Sequence, residues 1–495
     1  MSHAAAPASL PSTLGALRAT GYHPRSVKQE LRDNLMARLA DGRTLFPGVI
    51  GYEDSVIPAI ENAVLAGQDI VFLGERGQAK TRLARSLVAL LDEHVPAVAG
   101  SELHEDPFAP LLDETRRRIE TQGDALEIEW LHRSHRYGEK LATPDITIAD
   151  LIGEVDPIKV AEGRYLADAS TIHYGLIPRT NRGIFTINEL PDLQERIQVG
   201  LLNILEERDV QVRGYTLRLP LDLYVVASAN PEDYTSRGRI ITPLKDRLGS
   251  QIRTHYPRTT EGEIAIMRQE VERLEGGPDL EEPAFMLEII AELSHLARRA
   301  PEISQRSGVS VRVSIANLET LLANATRRAL KLGESSAAPR ISDLGAIIPS
   351  TTGKVELETL GDDAPEERII DRLLSRAIHG VFARRASLDR LTDITDAFES
   401  GAIIETGELV PSRHYVRWMQ ETPGMAEAVA HLGVGESPAA IASAVEFLLE
   451  GLHLHRRLNK ERAVGAGGRA LPRLSLTGPP TDDLSWRAPA TSGRP

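Results

Sequence analysis

Eight consecutive residues, 74–81, combine the glycines, the lysine and the hydroxyl group that suit binding of a phosphate chain. Their order is Gly-Glu-Arg-Gly-Gln-Ala-Lys-Thr, and an apolar run at residues 70–73 precedes them. A strand that turns through glycines into a helix presents several backbone N–H groups to one anion. In such a loop the lysine reaches the β- and γ-phosphates and the hydroxyl binds Mg²⁺. The residues predicted to bind a nucleoside triphosphate are Gly74, Glu75, Arg76, Gly77, Gln78, Ala79, Lys80, Thr81 and Arg82.

One residue departs from the usual pattern of this loop, which has glycine directly before the lysine. Ala79 occupies that position here. Alanine is strained there if the backbone needs a positive φ, and it is unstrained if the backbone is helical. The alternative interpretation is an ordinary strand-to-helix turn that contains two glycines and a lysine and binds no phosphate.

Polar residues that suit phosphoryl transfer follow two later apolar runs, at residues 183–187 and 223–228. Glu189 could polarise an attacking water, and Asn188 stands where an aspartate usually orients Mg²⁺. An amide adds no negative charge, so we expect weak Mg²⁺ binding at Asn188. Asn230 can donate and accept hydrogen bonds at once, which suits a sensor of the γ-phosphate. The alternative is a buried strand with polar end residues, followed later by an Asn-Pro turn.

Two arginines further along the chain could contact the transferred phosphoryl group. Arg247 lies in the segment Thr-Pro-Leu-Lys-Asp-Arg-Leu, where it could stabilise negative charge as an arginine finger. Arg312 precedes a helical pattern and could contact phosphate from a second domain. The alternative for Arg247 is a surface ion pair with Asp246.

The composition excludes several classes of protein. The 495 residues carry 57 Lys and Arg against 71 Asp and Glu, a net charge of −14, which argues against bulk attachment to nucleic acid or to an anionic membrane. Aromatic residues make up only 4%, too few for a base-stacking platform. The chain has no cysteine, which excludes disulfides and thiolate metal sites and suits a reducing compartment. We see no signal peptide and no apolar run of membrane-spanning length, and we expect a cytoplasmic protein.

The elements that must position these residues belong to an α/β fold. Residues from about 48 to 260 alternate short apolar strands with helical patterns, which is typical of a sheet covered by helices. Later segments show apolar residues at helical spacing. The predicted organisation is a flexible leader over residues 1–28, a nucleotide-binding αβα domain over 29–260, a helical domain over 261–345, a further C-terminal helical region over 346–462 and a disordered tail over 463–495.

The order of these motifs resembles that of an AAA+ ATPase, in the branch that contains the magnesium chelatase ATPase subunit (subunit I) and the MoxR-type ATPases. The resemblance covers roughly residues 48 to 330. Ile50 and Gly51 are similar to the segment near the adenine, and an alanine before the loop lysine is familiar in MoxR proteins. Further similar segments are residues 100–107, 175–177, 181–184, 201–208, 210–212 and 230–232.

The resemblance implies a role for each candidate residue. Lys80 and Thr81 bind the phosphates and Mg²⁺ of ATP, with Asn188 at the metal, and Glu189 is the catalytic base. Asn230 is the first sensor, Arg247 is the finger that acts on a neighbouring subunit's site, and the helical domain is a lid. Arg312 is then the second sensor. The resemblance also implies a homo-oligomeric ring, usually a hexamer, and a partner protein with a von Willebrand factor A domain.

Two segments, residues 155–180 and 209–219, interrupt the α/β alternation. The second shows a hairpin pattern around Arg213 and Gly214. In the branch that the chain resembles, such insertions face the pore and partners. The alternative is that both segments extend the sheet.

Three functions fit this sequence. The first is an ATP-hydrolysing ring ATPase that remodels a partner protein or assists insertion of a metal or cofactor. The second is a nucleotide-gated scaffold without catalysis, which Ala79 and Asn188 favour. The third is an AAA+ transcriptional regulator, against which stand the net charge and the lack of a Gly-Ala-Phe-Thr-Gly-Ala loop.

Overall fold

The computed structural model describes residues 10–155, 171–206, 210–212, 215–217, 219–230, 240–304, 307–357, 366–464 and 470–478. The chain divides into two compact units. The first ends at Tyr256 and the second begins at Pro257. Within the described residues, no helix is long and apolar enough to cross a membrane.

The first unit combines short helices with eleven described strands. Its helices are α1 (Leu14–Ala19), α2 (Val27–Ala40), α3 (Val56–Ala66), α4 (Lys80–Ser86), α5 (Asp113–Gln122), α6 (Ile148–Leu151), α7 (Leu176–Arg179), α8 (Glu195–Glu206) and α9 (Thr242–Arg247). Its strands are β1 (Ile70–Leu73), β2 (His94–Val98), β3 (Ile128–His132), β4 (Tyr137–Leu141), β5 (Gly153–Val155), β6 (Ile172–Tyr174), β7 (Gly183–Asn188), β8 (Val210–Val212), β9 (Tyr215–Leu217), β10 (Leu223–Ala229) and β11 (Ser250–Arg253).

Five of these strands form one parallel sheet in the order β11-β1-β10-β7-β4. Side chains alternate between the two faces of a strand. Ile70 and Phe72 of β1 therefore pack with α2, α3 and α4, whereas Val71 and Leu73 pack on the opposite face with α7, α8 and α9. The sheet is thus covered by helices on both sides, which confirms the predicted αβα fold.

The strands that carry the candidate residues differ from the prediction by at most one residue at their ends. The helix after the loop is short. α4 ends at Ser86 and a 3-10 turn, Leu87–Leu90, follows it, since β2 already begins at His94.

The two inserted segments form separate hairpins. β5 pairs antiparallel with β6, and β8 pairs antiparallel with β9, each as a two-stranded sheet. Within the described residues neither pair joins the five-stranded sheet, which contradicts the interpretation that the segments extend it. Residues 156–170, Arg213 and Gly214 lie outside the described residues.

The predicted flexible leader is wrong for part of its length. Thr13 caps α1 by accepting a hydrogen bond from the backbone of Ala16. Leu14 is fully buried and packs with Val98 and Leu126. The leader has few strong helix signals, and this long-range packing holds it in place.

The second unit is mainly helical. Its helices are α10 (Thr260–Glu270), α11 (Ala284–Ala297), α12 (Val311–Leu332), α13 (Ile348–Thr352), α14 (Glu366–Arg385), α15 (Thr392–Glu399), α16 (Ser412–Glu421), α17 (Met425–His431) and α18 (Pro438–Leu454). Its strands are β12 (Asp279–Leu280), β13 (Ser336–Ala337), β14 (Ile404–Thr406), β15 (Asn459–Val464) and β16 (Ala470–Thr477).

One hydrophobic core runs through this second unit. Met267 of α10, Leu321 of α12, Phe382 of α14 and Phe447 of α18 all belong to it. The predicted helical lid and the further C-terminal helical region therefore share a core. The predicted disordered tail is wrong for β16, which pairs antiparallel with β14 and β15.

Two helix-interior glycines of this core provide a matched test of its packing. A Cβ added at Gly451 of α18 would lie 1.9 Å from Cδ2 of Phe382, whereas one added at Gly380 of α14 has only Nη1 of Arg384 near it, at 3.8 Å. We expect Gly451→Ala to lower the free energy of unfolding by about 1–3 kcal/mol through overpacking. Gly380→Ala should raise it by about 0.5–1 kcal/mol, because alanine favours helix. Denaturant unfolding of both variants checks this, and equal effects would contradict it.

Candidate nucleotide-binding site

The candidate site lies at the edge of the five-stranded sheet where β1, β10 and β7 end. Because the strands are parallel, their carboxyl ends meet at this edge, where α/β sheets bind ligands. Asn188 alternates onto the same face as Ile184, and Ser228 alternates onto the same face as Val226. Ile184 and Val226 pack on the α4 side. The side chains of Asn188 and Ser228 therefore lie on the face of the sheet that α4 covers.

Gln78 anchors the phosphate-binding loop of residues 74–81. Gln78 is buried, and the Thr254 hydroxyl donates to its Oε1 at 2.7 Å. A Cβ on Gly74 would lie 1.9 Å from Oγ1 of Thr254 and 2.2 Å from Oε1 of Gln78. Position 74 must therefore be glycine, because a side chain there would clash where the loop packs against Thr254, the residue after β11.

Ala79 adopts the conformation that strains alanine. Its φ is 56° and its ψ is 17°, in the left-handed region. Gly77 also has a positive φ, 77°, which glycine adopts without cost. The loop therefore keeps the backbone path that glycine normally allows, and Ala79 holds it at a cost of about 1–2 kcal/mol.

Lys80 places a buried ammonium group at the centre of the site. The residue is 7% exposed, and its Nζ donates to the carbonyl oxygens of Gly74 and Glu75 and to Oδ1 of Asn230. The distances to Glu75 and Asn230 are 3.1 and 3.0 Å. The structure thus brings together the loop lysine and the predicted sensor, and oxygen atoms surround the cation as they would in a phosphate complex.

The segment predicted to lie near the adenine is tied to the loop. Gly51 has a φ of 83°, and Ile50 before it is half-buried. The Tyr52 hydroxyl lies 2.9 Å from the carbonyl oxygen of Gln78 and 2.8 Å from that of His255. Burial raises the pKa of Tyr52 to about 12, so the hydroxyl stays a hydrogen-bond donor.

A chain of hydrogen bonds crosses the ends of three strands. Nδ2 of Asn188 donates to Oε1 of Glu139 at 2.7 Å, and the Ser228 hydroxyl donates to Oδ1 of Asn188 at 3.3 Å. The backbone N–H of Glu189 donates to Oγ of Ser228 at 3.1 Å. Glu189 itself has a φ of 55°, in the left-handed region, where backbone strain is often found at functional sites.

Three residues of this site, Glu139, Arg85 and Ser228, are absent from the set predicted from sequence. Arg85 donates to both carboxylate oxygens of Glu139, at 2.7 and 3.0 Å. Burial alone would raise the pKa of Glu139, but the hydrogen bonds and charge of Arg85 outweigh it and lower that pKa. A usable signal was the spacing of Arg85 four residues after Thr81, which puts both on one helix face.

The remaining predicted residues lie at the ends of helices and in the loop. Thr81 lies in the first turn of α4, and the exposed Arg76 and Arg82 flank the loop. Arg247 is exposed at the last residue of α9. Arg312 is exposed in the first turn of α12, in the second unit. The roles of Arg247 and Arg312 stay predictions.

The residues present fit a triphosphate with Mg²⁺. The lysine ammonium and the loop N–H groups suit phosphate, and Thr81 and Asn188 offer the oxygen atoms that Mg²⁺ prefers. Among the described residues, no group of three or more His, Asp or Glu could hold a metal ion.

Comparison with known proteins gives several matches. Residues 160–250 match the family described as the Sigma-54 interaction domain. The chain is 26% identical over 245 residues to the magnesium-chelatase 38 kDa subunit of Rhodobacter capsulatus, covering 46% of this chain and 62% of that protein. It is 28% identical over 238 residues to the magnesium-chelatase 38 kDa subunit of Acidiphilium rubrum, covering 45% and 62%. The chain therefore spans less than two thirds of the length of these curated relatives.

A solved structure is also similar. It represents the complex between subunits BchI and BchD of magnesium chelatase, with 21% identity and a TM-score of 0.34 over 63% of this chain and 96% of that one. The predicted resemblance to magnesium chelatase subunit I is confirmed by the curated relatives. The likeness to MoxR proteins stays a prediction.

The strain at Ala79 gives a test of the loop conformation. Replacing Ala79 with glycine should raise the free energy of unfolding by about 1 kcal/mol, because glycine adopts positive φ without strain. Ala37 is a matched control, since it is exposed within α2. Ala37→Gly should lower the same quantity by about 1 kcal/mol through loss of helix propensity. Thermal unfolding without nucleotide checks both, and a destabilised Ala79→Gly would contradict the loop conformation.

Proposed function

Because the chain is an AAA+ protein related to the ATPase subunit of magnesium chelatase, we propose that it binds ATP with Mg²⁺ and hydrolyses it. The observation that carries this proposal is the buried ammonium of Lys80, which three oxygen atoms surround at the end of β1. A buried cation is costly without strong partners, so this position favours a polyanionic ligand.

In the proposed reaction the strand-end residues divide the work. Lys80 and the loop N–H groups bind the phosphates, and Asn230 positions the γ-phosphate. Thr81 and Asn188 would hold Mg²⁺, which would neutralise charge on the phosphate oxygens. Glu189 polarises the attacking water and accepts its proton. Ser228 fixes the backbone of Glu189 and so sets where its carboxylate can reach.

The proposal extends to a homo-oligomeric ring, of hexameric type, that remodels a partner or assists insertion of a metal or cofactor in the cytoplasm. The exposed position of Arg247 suits a finger that serves a neighbouring subunit. In magnesium chelatase, subunit BchI forms a complex with subunit BchD, and we propose that this chain likewise works with a partner protein. We further propose that this partner carries a von Willebrand factor A domain, and that Arg312 acts as the second sensor.

A second candidate function is transcriptional regulation. The match to the Sigma-54 interaction domain favours it and covers Glu189, Asn230 and Arg247, but not the phosphate-binding loop. Stimulation of ATP turnover by duplex DNA, with strong dependence on salt, would support this second candidate.

Lysine and glutamate variants test the proposed hydrolysis. Lys80→Ala should abolish ATP binding measured by calorimetry, because the phosphates lose their cation. Glu189→Gln should keep binding and lower the rate of phosphate release about 100-fold or more. Glu129→Gln, an exposed glutamate of β3, is the control and should change neither quantity. Absence of ATP binding by the unchanged protein would refute the proposal, and binding without turnover would favour the scaffold function.

Mixing two inactive variants tests whether Arg247 acts between subunits. Lys80→Ala and Arg247→Ala should each lack turnover alone. Mixed before assembly in equal amounts, they should regain about a quarter of the unmodified turnover, since about one interface in four joins an intact Lys80 to a neighbour's intact Arg247. A mixture that stays inactive, or full turnover of Arg247→Ala alone, would contradict the role of Arg247.

A further inference from the structure

The residue at position 188 is bonded to a carboxylate from the neighbouring strand. β4 and β7 are parallel, with Glu139 beside Thr186 and Leu141 beside Asn188. The Glu139 side chain reaches along the strand so that its Oε1 lies 2.7 Å from Nδ2 of Asn188. An ionised carboxylate only accepts hydrogen bonds, so the amide of Asn188 must present its N–H group to Glu139.

Glu139 is ionised and oriented toward Asn188. Arg85 and the hydroxyl of Tyr137 both donate to it, the latter at 3.1 Å. The side chain of Arg85 is 63% exposed, whereas that of Glu139 is 19% exposed. Arg85 is thus mostly solvated on its outer side, whereas the less exposed carboxylate of Glu139 faces Asn188.

This contact explains the asparagine at position 188. An aspartate there would place a second carboxylate where the amide N–H now lies, 2.7 Å from Glu139. Two carboxylates that share such a site cannot both ionise without a large cost. An amide at 188 and a carboxylate at 139 are therefore complementary, and the carboxylate of the pair lies on β4.

The carboxylate also lies near the residues that would hold the metal. Arg85 follows Thr81 by four residues on α4, so the two share one helix face about 6 Å apart along the axis. Glu139 binds Arg85 on this face and Asn188 at the end of β7. Glu139 thus connects the helix that begins at the phosphate loop to the strand that carries the catalytic glutamate.

We propose that Glu139 supplies the negative charge of the Mg²⁺ subsite that Asn188 lacks, and that it acts through the Asn188 amide as a positioning residue. The proposal rests on the proposed function. In this proposal the carboxylate that is usual at position 188 of β7 is replaced by the carboxylate of Glu139 on the neighbouring strand β4. The Mg²⁺ subsite therefore still works.

The first test measures how nucleotide affinity depends on Mg²⁺, using a fluorescent ATP analogue and the full chain. Glu139→Gln keeps the shape of the side chain and an oxygen that can accept from Asn188. We expect the Mg²⁺ concentration for half-maximal binding to rise about 10-fold. Affinity in EDTA should be unchanged, because the phosphate contacts remain. Glu129→Gln serves as the control and should match the unmodified protein in both conditions.

The second test places the carboxylate of the pair on β7 and the amide on β4. Asn188→Asp combined with Glu139→Gln should restore the Mg²⁺ dependence of the unmodified protein, since the pair again has one carboxylate and one amide. Asn188→Asp alone should lower the unfolding temperature in EDTA at pH 8. The loss should be smaller at pH 5, where one carboxyl group takes a proton and donates the missing hydrogen bond.

The outcomes separate this inference from the proposed function. An unmodified protein that binds no analogue in any condition overturns both. An unmodified protein that binds, together with a Glu139→Gln variant of unchanged Mg²⁺ dependence, overturns the inference alone. Equal weakening with Mg²⁺ and with EDTA, or a double variant no better than Glu139→Gln, also overturns it, because Glu139 would then be only structural.

Discussion

The site of the first unit depends on the placement of one buried cation. Lys80 begins α4 and its ammonium has little access to water, so it must be surrounded by oxygen atoms. The loop carbonyls provide some of these atoms and Asn230 provides another. This contact requires that β10 lie beside β1, which the strand order fulfils. The parallel sheet therefore brings polar residues that are far apart in sequence to the ammonium group of Lys80.

Two non-glycine residues of the candidate site have a strained backbone. Ala79 and Glu189 are both in the left-handed region, although neither is glycine. Such conformations persist only where the surrounding contacts determine them. The anchored loop does so for Ala79, and the hydrogen bond from the N–H of Glu189 to Oγ of Ser228 does so for Glu189. The packing of the αβα unit thus stabilises a backbone that neither residue favours.

Local patterns predicted the parts of the site that are close in sequence. The loop, its strand and the polar residues after β7 and β10 follow from short motifs and from the rule that parallel strands end at one edge. The pairing of Glu139 with Asn188 could not be predicted, because it depends on the register of β4 and β7. The same limit applies to Leu14, whose packing on Leu126 lies far along the chain. The sign of φ at Ala79 also required the structure.

The shared core of the second unit has a mechanical consequence. Met267 in α10 and Leu476 in β16 belong to one packed interior, and protein interiors resist deformation. Among the described residues, no boundary divides the lid helices from the C-terminal strands. A displacement imposed on α12 would be transmitted to the β14–β16 sheet as rigid-body motion. The C-terminal strands would then move together with α12.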